Sequence, residues 1–267
     1  MWNYWHIHPE VLIGLTLLQI GYLLCIGPLR KRFSFAHDVD PTNIFLFTLG
    51  IIVLFISLLS PLHVLGDKYL FSAHMVQHVL ITLVAPPLLI MGIPGWMIKV
   101  LINRQWMYAF AKVLLHPIVA IVIFNLAFSI WHLPVLYNIS VTNRHFHIFE
   151  HILFISTALI MWWPLLSKMK ELPRLSYPLQ MVYLFVMSLS QIVVFGTITF
   201  SPEPLYEWYV NAPQIWSHSP LRDQQIGAVI MKVGGGMLFI TLMIVAFFRW
   251  YNSENNRHDS EHKVLMR

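Results

Sequence analysis

Apolar residues come in seven blocks along this chain, at about 9–27, 43–60, 72–92, 113–133, 146–166, 177–200 and 224–249. Prolines, histidines and charged residues collect in the short stretches between them. Each block is near the twenty residues a helix needs to cross about 30 Å of hydrocarbon. The blocks are too long and too uniformly apolar for barrel strands, and in lipid a helix satisfies its own backbone polar groups. The pattern predicts an all-α membrane protein, a bundle of seven transmembrane helices over residues 1–251. The polar stretch 252–267 reads as a disordered cytoplasmic tail. The first block has no basic residues ahead of it and no small-residue cleavage site after it, so it reads as a retained span. Pro86-Pro87 is expected to bend or break the third block, and Pro164 to do the same near the end of the fifth.

The charges between blocks add an orientation. Of seventeen basic residues, thirteen fall on one side of the alternating spans, among them Arg30, Lys31, Arg32, Lys99, Lys168 and Arg249. Lys68, Arg144 and Arg222 fall on the other. The positive-inside bias then places the N-terminus outside and the C-terminus in the cytoplasm of a multi-pass protein of the cell membrane. Lys232 lies inside the seventh block, where snorkelling, pairing and a role near a site all stay open.

Composition agrees with this class: 57% of residues are apolar, 11% are charged, and the mean hydropathy is +0.66. The net charge of +5 does not argue for a nucleic-acid partner, because the basic residues lie in topology-setting clusters. Cys25 is the single cysteine. It excludes an internal disulfide or a CxxC motif, so soft-metal chemistry here falls to histidine and methionine.

The fourteen histidines carry most of the candidate chemistry. Ten fall at outer span ends or outer loops: His6, His8, His63, His74, His78, His132, His145, His147, His151 and His218. His37, His116, His258 and His262 fall on the cytoplasmic side. His74 and His78 are four residues apart at the start of the third block, which puts both rings on one helical face about 6 Å apart along the axis, with Met75 and Gln77 on flanking faces. His147 and His151 repeat the spacing at the start of the fifth block, with Glu150 between them. Span ends from different helices converge at one rim of a bundle, where imidazoles and Glu150 would suit copper or zinc. His132, before Pro134, would face either this basin or the headgroups. Asp223 and Gln224 open the seventh block as helix-terminus or site residues. Met75, Met187, Met231 and Met237 offer thioethers, though methionines in spans mostly pack.

Three functions fit these residues. One is an accessory protein that binds copper at its outer face and serves maturation of a metalloenzyme. A second is a membrane-embedded zinc metallopeptidase, since His147-Ile148-Phe149-Glu150-His151 matches the H-x-x-E-H pattern. A third is a membrane cytochrome with haem held between histidines of two spans.

The ordered motifs HMVQH, APPLLIMGIP, WHLPVLY, HIFEH, WWPLL and DQQIG, with Met231 after them, resemble the CtaG family of cytochrome c oxidase assembly factors, in its multi-span bacterial form. The resemblance runs from about Trp2 to about Trp250. It implies seven spans and a part in forming active caa-type oxidase through supply of copper, with oxidase subunits or other assembly factors as partners. The family's histidine motifs fall on His74, His78, His132, His147 and His151, with Glu150, Asp223 and Gln224 beside them. Lys232 stands where an aromatic is the more usual residue. The site expected from these readings is His74 and His78 facing His147 and His151, with Glu150 and His132 as further ligands. Met75, Gln77, His63, Asp223, Gln224 and Met231 are expected to support it.

Overall fold

A computed structural model describes residues 8–33, 38–215 and 217–265. His6, His37 and the side chains of His258 and His262 lie outside this description. The described residues form helices and no strand. In chain order they are α1 (Pro9–Phe33), α2 (Pro41–Leu59), α3 (Pro61–Lys68) and α4 (Phe71–Gly92). There follow α5 (Gly95–Leu101), α6 (Gln105–Leu114), α7 (Pro117–Trp131), α8 (Pro134–Thr142) and α9 (Arg144–Leu166). The chain ends with α10 (Tyr177–Thr199), α11 (Glu207–Val210) and α12 (Pro220–Leu265).

Proline begins many of these helices, where its missing N–H costs nothing and its fixed φ suits the first turn. Side-chain caps complete several starts. Asp40 accepts from Thr42 N at 2.8 Å and Ser60 from Leu62 N at 3.1 Å. Asn143 accepts from His145 N at 3.0 Å.

Among the described residues, six helices are long and apolar enough to cross a membrane: α1, α2, α4, α9, α10 and α12. The block expected at 113–133 is divided. α6 and α7 meet at 65°, because Pro117 holds His116 extended and a new helix starts there. Counted as one bent span, this pair makes a seventh. The stretch expected to be a disordered tail is helical through Leu265. A helix already nucleated in α12 extends at little further cost, so a polar composition alone does not end it.

α4 is the centre of the bundle. The most apolar window of α4 is 61% buried, against 11% for α1. α2 reaches it through glycines: a Cβ on Gly92 would lie 2.4 Å from Phe47 N, and one on Gly50 would lie 2.8 Å from the Leu89 side chain. Tyr22 of α1 closes this contact, stacking on Phe47 at 3.8 Å and donating to the Gly92 carbonyl at 2.9 Å. α12 reaches α4 through Gly227, whose added Cβ would stand 2.5 Å from the Phe71 ring.

Pro86-Pro87 neither breaks α4 nor leaves it regular. The turn Leu80–Val84 widens to i→i+5 bonding, and Trp162 Nε1 of α9 donates to the Thr82 carbonyl at 2.9 Å. Thr82 lies four residues before Pro86, so the indole replaces the N–H the proline lacks. Pro164 sits in the last turn of α9, which ends two residues later without a break. Phe45, Ile118, Val122, Phe185 and Val193 stand exposed on outer faces, as lipid contact requires.

Gly92→Ala is expected to destabilise the protein by about 1–3 kcal/mol through overpacking against the α2 backbone. Gly14→Ala, whose Cβ would meet nothing within 4 Å, is expected to be neutral or slightly stabilising. Thermal unfolding of the two purified variants in detergent measures the difference.

Candidate metal centre

The first two turns of α4 bring His74 and His78 together with ring centroids 4.2 Å apart, and both rings are fully buried. The first two turns of α9 do the same for His147 and His151, at 4.4 Å. The two pairs face each other, His74 to His147 at 5.8 Å and His78 to His151 at 6.1 Å. His132, at the end of α7, approaches His78 at 6.0 Å. His63, on α3, stands 5.7 Å from His147 and 5.9 Å from His151. Six imidazoles from four helices thus line one volume.

Glu150 occupies its inner part. One carboxylate oxygen, Oε2, accepts from Ser140 Oγ of α8. The other, Oε1, faces His78 Nε2 at 3.5 Å and His74 Nε2 at 3.9 Å. Single ligand atoms of His74, His78 and Glu150 all lie within 4.8 Å of one another, and all three residues are buried. Among the described residues, Oε1, both ring nitrogens of His74 and of His78, and His132 Nε2 have no hydrogen-bond partner. Each such atom costs about 1–3 kcal/mol. A concentration of them in one buried pocket fits residues shaped to hold a cation. Neutral imidazole with one carboxylate suits copper or zinc.

Asp67 was not singled out by the sequence. It stands one turn after His63 on α3, its Oδ2 3.1 Å from His63 Nε2 and its Oδ1 3.4 Å from His147 Nε2. The signal was available in the i, i+4 spacing of His63 and Asp67, but it lay between apolar blocks rather than in one. Ser140 gave no signal at all.

The supporting residues divide. Gln77 joins the cluster, its amide 3.0 Å from His63 Nδ1 and 3.4 Å from His151 Nε2, which orients both rings. Asp223 does not face the rings. Its carboxylate accepts from Phe71 N at 2.7 Å, from Ser72 N and from Ser72 Oγ, so α12 caps the start of α4. Gln224 Oε1 accepts from Leu205 N at 2.8 Å. It holds the segment whose Tyr206 donates to the His132 carbonyl at 2.9 Å. Met75 and Met231 pack in an aromatic cluster with Phe71, Tyr137 and Tyr206. Met187 accepts from Asn125 Nδ2 at 3.4 Å, and Met237 is exposed. His145 and His218 are exposed. Lys232 donates to the Ser188 carbonyl at 2.7 Å.

Residues 20–253 match the family described as cytochrome c oxidase caa3 assembly factor, Caa3_CtaG. The chain belongs to this family. No curated protein and no solved structure matches it. The family match spans α2 to α10 whole, so every ring of the six-histidine cluster falls inside it.

Burial lowers the pKa of His63 to about 4, against a smaller upward pull from Asp67. Between about pH 6.5 and 4 the unfolded chain therefore binds a proton at His63 that the folded protein refuses. Stability should fall as pH drops through that window, by roughly 3 kcal/mol at its acid end. Thermal unfolding in chelator from pH 7 to 4.5 measures this, and His63→Asn should flatten the slope.

Proposed function

We propose that this assembly factor is a non-catalytic, multi-pass protein of the cell membrane that holds copper at an outer-face histidine site and supports metal-centre maturation of a caa-type oxidase. The observation that carries the reading is the buried convergence of His74, His78 and Glu150 within 4.8 Å. His151 and His132 stand close enough to complete a ligand set. Copper and zinc both suit these donors, and service to an oxidase that contains copper favours copper. Neutral rings need not lose a proton to bind, and a set without thiolates withstands an oxidising compartment.

The outer placement rests on charge and on which end of the bundle the rings occupy. The histidines sit at the starts of α4 and α9. At the opposite ends, Lys168 bonds the Met91 carbonyl at 2.6 Å and Lys99 pairs with Glu171 at 2.6 Å. With the bent α6–α7 pair taken as one span, seven crossings and the positive-inside bias support an N-terminus outside and a polar extension of α12 in the cytoplasm.

The two other readings are less well supported. A water-activating glutamate must meet substrate, whereas Glu150 is 1% exposed and does not line the cavity that reaches His147 and His151. Haem needs a flat slot between axial histidines of two spans, whereas Glu150 Oε1 stands against the inward nitrogens of His74 and His78, at 3.9 and 3.5 Å.

His74→Ala/His78→Ala is expected to lower copper per purified chain by about one equivalent and to lower caa3 oxidase activity of host membranes to that of a deletion strain. Unchanged copper would reject the site. Lost copper with normal oxidase would reject its part in assembly.

A further inference from the structure

We infer that the centre is a pair of cation stations sharing two imidazoles: an outer one at His8, His63, Asp67 and His147 that takes up a divalent late first-row cation, and the inner one at His74, His78 and Glu150. The inner half rests on the function proposed above. The outer half stands on its own residues.

The outer geometry is that of a ligand set. His63 Nε2 lies 3.1 Å from Asp67 Oδ2 and 3.3 Å from His8 Nε2, and His147 Nε2 lies 3.4 Å from Asp67 Oδ1. Donors held tetrahedrally at about 2.0–2.1 Å from zinc stand about 3.3–3.4 Å from one another. His63, Asp67 and His147 offer atoms mutually within 4.8 Å. Asp67 Oδ1 and His147 Nε2 are buried without a hydrogen-bond partner among the described residues. An ion pair between Arg144 and Glu10 ties the start of α1 to α9 and so holds His8 over His63.

Access separates the stations. A cavity of about 380 Å³ is lined by His8, His63, Asp67 and His147, and not by His74, His78 or Glu150. An arriving cation meets the outer group first.

Two rings join the groups. His147 turns Nε2 to Asp67 at 3.4 Å and Nδ1 to Glu150 Oε2 at 3.9 Å. His74 turns Nδ1 to Asp67 Oδ1 at 3.9 Å and Nε2 to Glu150 Oε1 at 3.9 Å. A cation can move inward by one ring width with a carboxylate ahead of it and another behind. Gln77 is placed to set the tautomer. The Gln77 amide nitrogen faces His63 Nδ1 at 3.0 Å; turned end for end, a change that keeps the amide's shape, its oxygen accepts from Nδ1–H and leaves the Nε2 lone pair for the outer station.

The test is titration of the full-length protein in detergent with Cu(II) alone, and then with Zn(II) alone. Wild type is expected to bind two equivalents, and Cu(II) at saturation to show dipolar coupling between paired ions by electron paramagnetic resonance. Asp67→Asn and Glu150→Gln are each expected to keep one equivalent, and filling of the remaining site in Asp67→Asn should slow at least tenfold. A single equivalent in wild type, or two equivalents with unchanged kinetics in Asp67→Asn, overturns the outer station. Two equivalents in Glu150→Gln beside one in Asp67→Asn overturns the inner reading and leaves the outer. Should Asp67→Asn lose its helical circular dichroism, the wild-type signal decides: no coupling at saturating copper overturns the pair.

Discussion

A carboxylate removed from water within a lipid-bounded bundle demands partners, since burying an uncompensated charge costs several kcal/mol. Glu150 is such a group, 1% exposed, and much of this end of the protein is arranged to answer it. α8 folds back to present Ser140 to one oxygen, and α4 presents two imidazoles to the other. His147 of α9 turns its Nδ1 toward the same carboxylate at 3.9 Å, while α3, which begins at Pro61, supplies His63 and Asp67 beside that ring. The short helices between spans are therefore part of the site rather than connectors.

Aromatic hydroxyls hold this arrangement from behind. Tyr209 donates to the Gly66 carbonyl at 2.7 Å and bonds Tyr137 at 2.9 Å, while Tyr206 reaches the His132 carbonyl. Gly66 lies against the backbone of His74, where an added Cβ would stand 2.9 Å from its Cα. The height of the His74 ring is thus set by contact between two backbones, which is stiffer than any rotamer preference. The carboxylate of Asp223 fixes the same helix from above by capping its first turn in trans.

What the sequence disclosed and what it hid follow one physical division. Periodicity within an element is local, so the apolar blocks and the paired histidines of α4 and α9 were legible, and with them the gathering of rings at one rim. Ser140 meeting Glu150 and Asp223 capping another helix depend on which elements become neighbours, and no spacing encodes that. Asp67 lay between these cases, on a periodic spacing within a helix too short and polar to register as one. The break at Pro117 and the helical course through Leu265 were not legible, because apolar content reports burial or lipid contact, not where backbone hydrogen bonding stops.

The widened turn of α4 has a rotational meaning. In a regular helix at 3.6 residues per turn, His74 and Gly92 would project in nearly the same direction, being eighteen residues apart. One stripe would then have to meet α2 and α9 at once. An extra residue absorbed at Leu80–Val84 offsets the lower half from the upper by about 100°. Gly92 can then press on Phe47 while the imidazoles look toward Glu150. The diproline that necessitates the irregularity acts as a phase shifter, giving one rod two separate azimuths.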